Sequence, residues 1–588
     1  MDTITVTTDA SWNSLAVDNT VLAIVLWLVA VEAIGLAALP LAAVLLPRTP
    51  DRGAASARLL GLLIVGWTVW IGASLRFWEA RATTVVIATG LLAFVCWAVA
   101  DSRSRSGRPL RLPTWKTWLN WSAIWLGGFA TFLLLRAVYP DFWQTWFGGE
   151  KPFELAYLRA VARSVEFPPY DPWYSDGTIN YYYYGWHLVS TLAKLSGVGI
   201  SLAFQFAIPT FAGMLILQVA SIATLLIGKG RSRLTRLQLL TGGTLAVLAV
   251  VVIGNLDALR QVWELRGNVR DGFDFWRSTR VIAYTINEFP WFSQIWADVH
   301  PHVINFPIFA LLLTVLAHLS IASPRGILVS LRAWLFWALP SVGMAGLVFG
   351  SVAMTNSWDA PLGAGMCVVA FTYAGWLHSG RAALVGTLAG GGAVVLGLIL
   401  FWPFYAGFYS VVQGLNVADT GSNLVEFLTV WGIGFGIIML AMLARLAQRL
   451  RAGGDVRDGW LFAALTLIVG GLLTGVGLFI DAWDGPSFTS VVALFLAAGA
   501  IGVAAAASQP TSLRPFLLEP IVLGVVIAGG ISVWRPAAAV ALAISIGCGM
   551  FAARRLRQPS AMLPWALCAL GAVVIAATEV VYVADDLQ

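Results

Sequence analysis

The sequence predicts an all-α fold, a polytopic bundle of about 16 transmembrane helices. Of its 588 residues, 59% are hydrophobic and 11% are charged, which is too little polar surface for a water-soluble globule of this length. Apolar tracts of about 20 residues, the length at which a helix crosses the hydrocarbon core, recur from Thr20 to Ala584. The short alternating segments of an outer-membrane barrel are absent, so the spans are helices.

The spans follow one another along the chain. They are predicted at residues 20–46, 59–77, 83–100, 118–139, 237–254, 302–322, 333–353, 361–378, 382–402, 427–446, 460–480, 488–507, 516–533, 537–552 and 562–584. Two further apolar tracts lie between Tyr181 and Gly228, where the alternation of basic loops requires an odd number of crossings. Either one tract does not cross, or the second breaks at Pro209 and the pair makes three passes.

Arginine and lysine residues cluster on alternate short loops, which the positive-inside rule places in the cytoplasm. The protein is therefore predicted to be a multi-pass protein of the cell membrane with both termini extracytoplasmic. Because the net charge of +6 is a topology signal here, no nucleic-acid partner is predicted. Three parts follow: N-terminal spans at 1–117, a core at 118–425 with external loops 140–180 and 255–302, and C-terminal spans at 426–588.

The stretch 150–194 is polar, rich in proline and aromatic residues, and flanked by lipid-soluble tracts. A helix is predicted with Pro152 in its first turn and an end before Pro168. It lies in the membrane interface, like short helices on the other external loops, or it is an ordinary surface helix that shields the bundle, which is the favoured alternative for this helix. Three carboxylates lie near apolar walls here: Asp141, Glu150 and Glu154. They suit a general base or a cation site, or alternatively they cap helices and pair with neighbouring basic side chains, among them Arg136 and Lys151.

Four consecutive tyrosines, 181–184, stand where a span enters the membrane. They point around all sides of a helix, so some of them must face protein rather than lipid. Tyr182, Tyr183, Tyr184 and the intramembrane His187 are candidates for substrate binding. The alternative is an ordinary interfacial aromatic belt.

The second external loop contains Asn287 and Glu288, and then the alternating pattern Asp298-x-His300-x-His302. In an extended segment these three side chains project to one side, which suits a cation such as Mg²⁺ or Mn²⁺. The alternative is a loop whose histidines satisfy backbone carbonyls. A later turn at 355–361 contains Trp358 and Asp359, and Trp358 is either a belt residue or a platform for a sugar ring.

These motifs resemble the YYY family of integral membrane proteins, a domain of unknown function. The motifs are EKP at 150–152, PPYDPW at 168–173, NYYYYG at 180–185, INEFP at 286–290, DVHPH at 298–302 and TNSWD at 355–359. That family looks like the GT-C class of multi-span glycosyltransferases, which take sugars from polyprenyl-phosphate carriers. The resemblance implies further spans after residue 588, with missing basic residues supplied by a second chain.

By this resemblance, Asp141 matches the essential acid, Glu150 and Glu154 match nearby acids, and Asp298, His300 and His302 bind a metal or the donor phosphate. The expected function is inverting transfer of a sugar from a polyprenyl-phosphate donor in the bilayer to an external acceptor. The remaining predicted substrate-binding residues are Arg136, Lys151, Tyr182, Tyr183, Tyr184, His187, Asn287, Glu288, Trp358 and Asp359. The alternatives are a transporter or lipid flippase, or a non-catalytic membrane assembly partner.

Overall fold

The computed structural model describes residues 19–142, 149–230, 235–266, 272–324, 330–410, 412–419, 421–453 and 535–585, with some residues between 493 and 507. The first part of the chain contains long apolar helices and two shorter ones, Lys151–Arg163 and Tyr184–Ser196. In chain order they are α1 Thr20–Leu45, α2 Ala57–Ser74, α3 Ala82–Arg105, α4 Trp115–Val138, α5 Lys151–Arg163, α6 Tyr184–Ser196, α7 Ile200–Gly230 and α8 Arg236–Val247, which continues into the π-turn Leu248–Val252.

The remaining elements alternate between spans and short segments. They are α9 Asp257–Leu265, the 3₁₀ turn Arg277–Thr279, α10 Pro290–Trp296, α11 Pro301–Ala322, α12 Leu331–Thr355, the 3₁₀ turn Ser357–Asp359, α13 Ala360–Trp376, α14 Gly380–Leu400, α15 Trp402–Gly407, β1 Val412–Val417, α16 Leu424–Arg451, α17 Pro536–Ala553, α18 Pro559–Thr578 and β2 Val581–Asp585.

The prediction of a helical polytopic membrane protein is confirmed. Eleven helices in the described ranges are long and apolar enough to cross a membrane, and the bent pair Leu237–Val252 and Asp257–Leu265 raises this to as many as 12. The predicted spans at 460–480 and 516–533, and most of 488–507, lie outside the described residues.

The two apolar tracts between Tyr181 and Gly228 form helices of very different length. α6 has 13 residues and α7 has 31, and α7 continues through Pro209 without a break. Because a helix needs about 20 residues to cross the hydrocarbon core, α7 is long enough and α6 is not. These lengths favour the alternative in which one of the two tracts does not cross.

The end of the last predicted span, 562–584, is wrong. α18 ends at Thr578, and β2 pairs in antiparallel register with β1, so that Val583 lies opposite Leu415. Valine and tyrosine dominate this stretch and favour extended backbone once a partner strand is available.

The chain forms two compact units. The first contains residues 1–253 and 290–409, and the second contains residues 254–289 and 410–588. The three consecutive parts expected from the positions of the loops, 1–117, 118–425 and 426–588, stay a prediction.

The first unit contains a continuous buried core with an ion pair inside it. The guanidinium of Arg58, at the start of α2, lies 2.8 Å from Glu32 of α1 and 4.0 Å from the ring centre of Trp118 on α4. The side chain of Arg58 is fully buried, and that of Glu32 is 25% exposed. The contacts of Arg58 therefore connect α1, α2 and α4. An unpaired charge buried among these helices would cost free energy, which Glu32 offsets.

Candidate functional site

Helix α5 positions the first acids of the site. Pro152 lies in its first turn, where the missing N–H has no helical partner in any case, and Glu154 lies at the positive N-terminal end. The helix buries Tyr157, Leu158 and Val161 against the first unit. Its apolar face therefore fixes the orientation of its acidic first turn.

Glu154 is fully buried and binds the loop before α11 with both carboxylate oxygens. Oε2 accepts a hydrogen bond from the backbone N–H of Val299 at 2.6 Å, and Oε1 lies 3.1 Å from Nδ1 of His300. Glu154 thereby joins two segments that are far apart in sequence.

Glu150 approaches the same imidazole from the N-cap position of α5. Its Oε2 lies 2.8 Å from Nδ1 of His300, and its side chain is 57% exposed, whereas that of His300 is 25% exposed. We call Glu150, Glu154 and His300 the acid–histidine cluster. Within the cluster, Glu154 is buried and Glu150 is exposed to solvent.

The electrostatics of the cluster follow from burial and charge. Burial raises the pKa of Glu154 above its ordinary value, while its hydrogen bond to His300 opposes this. For His300, burial lowers the pKa, but the hydrogen bonds and charges of Glu150 and Glu154 outweigh it and raise the pKa to about 10. The two carboxyl groups therefore favour the protonated imidazole, and a metal ion bound here would take the place of that proton.

Two basic side chains meet beside the cluster. Nη1 of Arg136, at the end of α4, and Nζ of Lys151 both donate to the backbone carbonyl of Asp141, at 3.1 Å and 3.2 Å. Nζ of Lys151 also lies 4.4 Å from the ring centre of Trp296. Both basic side chains are almost completely buried, whereas Asp141 is exposed.

Asp298 is connected to Lys151 through Trp296, which contacts both side chains. Its Oδ2 accepts a hydrogen bond from Nε1 of Trp296 at 2.9 Å. Burial raises the pKa of Asp298 to about 8, and the charge of Glu154 adds to the effect. Burial lowers the pKa of Lys151 to about 8, and the positive charge of Arg136 acts in the same direction.

The four tyrosines divide between the site and the core. Burial raises the pKa of Tyr181, and the nearby charge of Glu150 adds to the effect. The ring centre of Tyr182 lies 4.9 Å from that of Tyr181 and 5.7 Å from that of Phe408. Tyr183 and Tyr184 are at most 2% exposed, which confirms the prediction that some of the tyrosines face protein.

The two core-facing tyrosines, Tyr183 and Tyr184, form hydrogen bonds with α2. The hydroxyl of Tyr183 accepts from Nε1 of Trp70 at 3.3 Å, and that of Tyr184 donates to the carbonyl of Leu63 at 3.4 Å. His187 lies in the same layer, with Nε2 2.9 Å from the carbonyl of Gly66. These contacts support packing, and the predicted part of Tyr183, Tyr184 and His187 in substrate binding stays a prediction.

A second polar group lies at the turn before α13. Oδ2 of Asp359 accepts hydrogen bonds from Nδ2 of Asn305 at 2.7 Å and from Nδ2 of Asn356 at 2.9 Å. We call Asn305, Asn356 and Asp359 the Asp359 group. Sequence reasoning predicted Asp359 but missed Asn305, although an asparagine within an apolar span was a signal that could have drawn attention to it.

The geometry revises which residues are candidates to bind a metal. One ligand atom from each of Glu150, Glu154 and His300 lies within 4.8 Å of the other two, a group that could hold an ion. Of the three residues predicted as metal ligands, only His300 belongs to this group. Asp298 accepts a hydrogen bond from Trp296, and the ring of His302 is tilted by 57° to that of His300, with ring centres 4.9 Å apart.

The predicted residues Asn287 and Glu288 lie in the second unit. Asn287 organises its own loop: its Oδ1 accepts from the backbone N–H of Ile282 at 3.0 Å, and its own N–H donates to Thr279 at 2.8 Å. These bonds are those of a turn-forming residue. The predicted substrate-binding role of Asn287 and Glu288 stays a prediction.

The fold and the site define a multi-pass helical membrane protein with a carboxylate–histidine cluster between its spans. The family described as "Uncharacterized membrane protein (DUF2298)" matches residues 64–588, and the chain belongs to that family. No curated protein and no solved structure matches the chain.

Proposed function

We propose that the protein is a membrane glycosyltransferase, which transfers a sugar from a polyprenyl-phosphate donor to an acceptor outside the cytoplasm. One observation carries the proposal: two loops that connect spans bring the acid–histidine cluster together beside Lys151 and the exposed Asp141. Acidic and basic groups at the edge of a membrane bundle suit a reaction between a lipid-linked sugar and a water-exposed hydroxyl.

The acids have different roles in this proposal. Asp141 is exposed and its carbonyl is held by Arg136 and Lys151, so its carboxylate is available as the general base. The acceptor oxygen attacks the anomeric carbon, its proton passes to Asp141, and the bond from that carbon to the phosphate oxygen breaks. Glu154 is enclosed and holds Val299 and His300, so it is a positioning residue.

In the same step, Lys151 and Arg136 stabilise the charge of the leaving group. A departing polyprenyl phosphate carries negative charge, and prearranged cations in a partly dry site stabilise such charge strongly. Lys151 and Arg136 are buried side by side, where each has lost most of its hydration. Their charges are therefore available to a phosphate at low cost in reorganisation.

The acid–histidine cluster also fits a divalent cation. Two carboxylate oxygens and one imidazole nitrogen form a mixed oxygen and nitrogen donor set, which suits Mn²⁺ better than Mg²⁺. Glu150, Glu154 and His300 would hold the ion. A bound cation would supply neutralisation of negative charge on the leaving phosphate.

The test is transfer of radiolabelled mannose, glucose or galactose from synthetic polyprenyl phosphates by membranes that contain the full chain. We expect a labelled product that membranes without the chain do not form, and a loss of about 100-fold or more in Asp141→Asn and Glu150→Gln. Glu166→Gln is the matched control, because Glu166 lies in the same segment but pairs with Arg76 at 3.5 Å. Equal incorporation with and without the chain, or unchanged transfer by Asp141→Asn and Glu150→Gln, contradicts the proposal.

A further inference from the structure

The Asp359 group presents one carboxylate oxygen in a fixed direction. Oδ2 accepts both hydrogen bonds, one from the side-chain amide of Asn305 on α11 and one from that of Asn356 at the end of α12. Oδ1 takes no hydrogen bond from the described residues. Because two elements fix the carboxylate, Oδ1 is a preorganised acceptor at a partly exposed position.

Asn305 adds a second acceptor to the group. Its side chain is fully buried, and its Oδ1 has no hydrogen-bond partner among the described residues. The amide orientation is set, because Nδ2 must face the carboxylate of Asp359, which only accepts. A buried acceptor without a donor costs free energy, so Oδ1 of Asn305 is suited to a donor that the described part of the chain does not supply.

An aromatic surface adjoins these acceptors. Trp358, the neighbour of Asp359, is 48% exposed. On its other side, Oγ of Ser357 donates a hydrogen bond to the carbonyl of Ala353 at 2.8 Å, which holds the turn that carries Trp358. His300 is the N-cap of α11 and Asn305 lies five positions further along, so one helix connects the acid–histidine cluster to the Asp359 group.

We infer that Asn305, Trp358 and Asp359 form a subsite for a sugar ring, which recognises two neighbouring hydroxyl groups. One hydroxyl donates to Oδ1 of Asp359 and the next donates to Oδ1 of Asn305, while the apolar face of the ring stacks on Trp358. This inference rests on the proposed function for the identity of the ligand as substrate. The chemistry of the subsite, two acceptors beside an indole, can be tested without turnover.

The experiment is saturation-transfer-difference NMR on the full chain in detergent, with methyl glycosides of mannose, glucose and galactose as probes. We expect ring-proton signals with the wild-type chain that fall at least 5-fold in Trp358→Ala and in Asp359→Asn. Trp431→Ala is the matched control, because Trp431 is 41% exposed on α16 in the second unit. Asp359→Asn keeps an oxygen acceptor for both amides, so a thermal melt should show that it folds.

A further probe pair tests the two-hydroxyl requirement. trans-1,2-Cyclohexanediol should give a signal with the wild-type chain that falls in Asp359→Asn. Cyclohexanol, which has one hydroxyl, should give a signal at least 5-fold weaker than the diol with the wild-type chain. Absence of signals from every glycoside, or equal signals from wild type, Trp358→Ala and Asp359→Asn, overturns the subsite. If binding follows this pattern but no labelled sugar is transferred, the subsite stands and the transferase proposal fails.

Discussion

Glu154 and His300 are separated by 146 positions in the sequence, yet Oε1 of Glu154 lies 3.1 Å from Nδ1 of His300. The other oxygen of the same carboxylate binds the backbone N–H of Val299. One buried side chain thus fixes both the position of a loop and the orientation of its imidazole. Any chemistry at the open side of His300 depends on this contact.

Removal of the Glu154 carboxylate should destabilise the protein. Glu154→Ala leaves the N–H of Val299 and the imidazole of His300 without their buried acceptor, so we expect a loss of about 3 kcal/mol. Glu154→Gln keeps an acceptor and should lose less. Thermal melts in detergent measure both, with Glu166→Ala as the control at a partly exposed ion pair. Equal melting temperatures for Glu154→Ala and wild type would show that the contact is not structural.

Binding of Mn²⁺ should distinguish the two neighbouring histidines. His300 belongs to the acid–histidine cluster and His302 does not, so His300→Ala should weaken the Mn²⁺ affinity by at least about 10-fold, the loss that even an outer-shell residue can cause. His302→Ala should change it much less. Electron paramagnetic resonance titration of free Mn²⁺ measures both. Equal weakening by the two variants would support the ligand set that the sequence pattern predicted.

The buried ion pair between Glu32 and Arg58 should matter more than an exposed one. Glu32→Ala leaves a fully buried guanidinium without its counter-charge, and we expect a loss of about 3–5 kcal/mol. Asp101→Ala is the control, because its pair with Arg105 is exposed at both side chains and should contribute less than about 1 kcal/mol. Chemical or thermal unfolding in detergent compares them. Similar losses for the two variants would place the Glu32 pair in contact with water.

Two glycines with similar backbone conformation should respond differently to substitution. Gly53 has φ +80° and Gly107 has φ +69°, so alanine at either position adopts a left-handed conformation that costs about 1–2 kcal/mol. A Cβ atom at Gly53 would also lie 2.5 Å from the backbone oxygen of Ala42, whereas no atom lies within 4 Å of one at Gly107. Melting temperatures should therefore fall further for Gly53→Ala. An equal decrease would show that the α1–α2 loop can move away from Ala42.

The sequence predicts several residues of the site one by one, without their contacts. Charge within a lipid-soluble chain drew attention to Glu150, Glu154 and His300, because such residues are costly beside a membrane unless they have partners. The alternating pattern grouped His300 with Asp298 and His302 because it compared residues close in sequence, whereas the geometry groups His300 with Glu150 and Glu154. Asn305 was missed because one asparagine scarcely changes the hydropathy of an apolar span.

The sequence by itself determined that this chain is a helical membrane protein. Apolar tracts of membrane-spanning length leave a backbone no other way to satisfy its hydrogen bonds, and this holds whatever the helices pack against. Tertiary structure alone decided which of the polar residues meet. Glu154 contacts His300, and Asn305 contacts Asp359, because helix packing brings together loops that no local pattern connects.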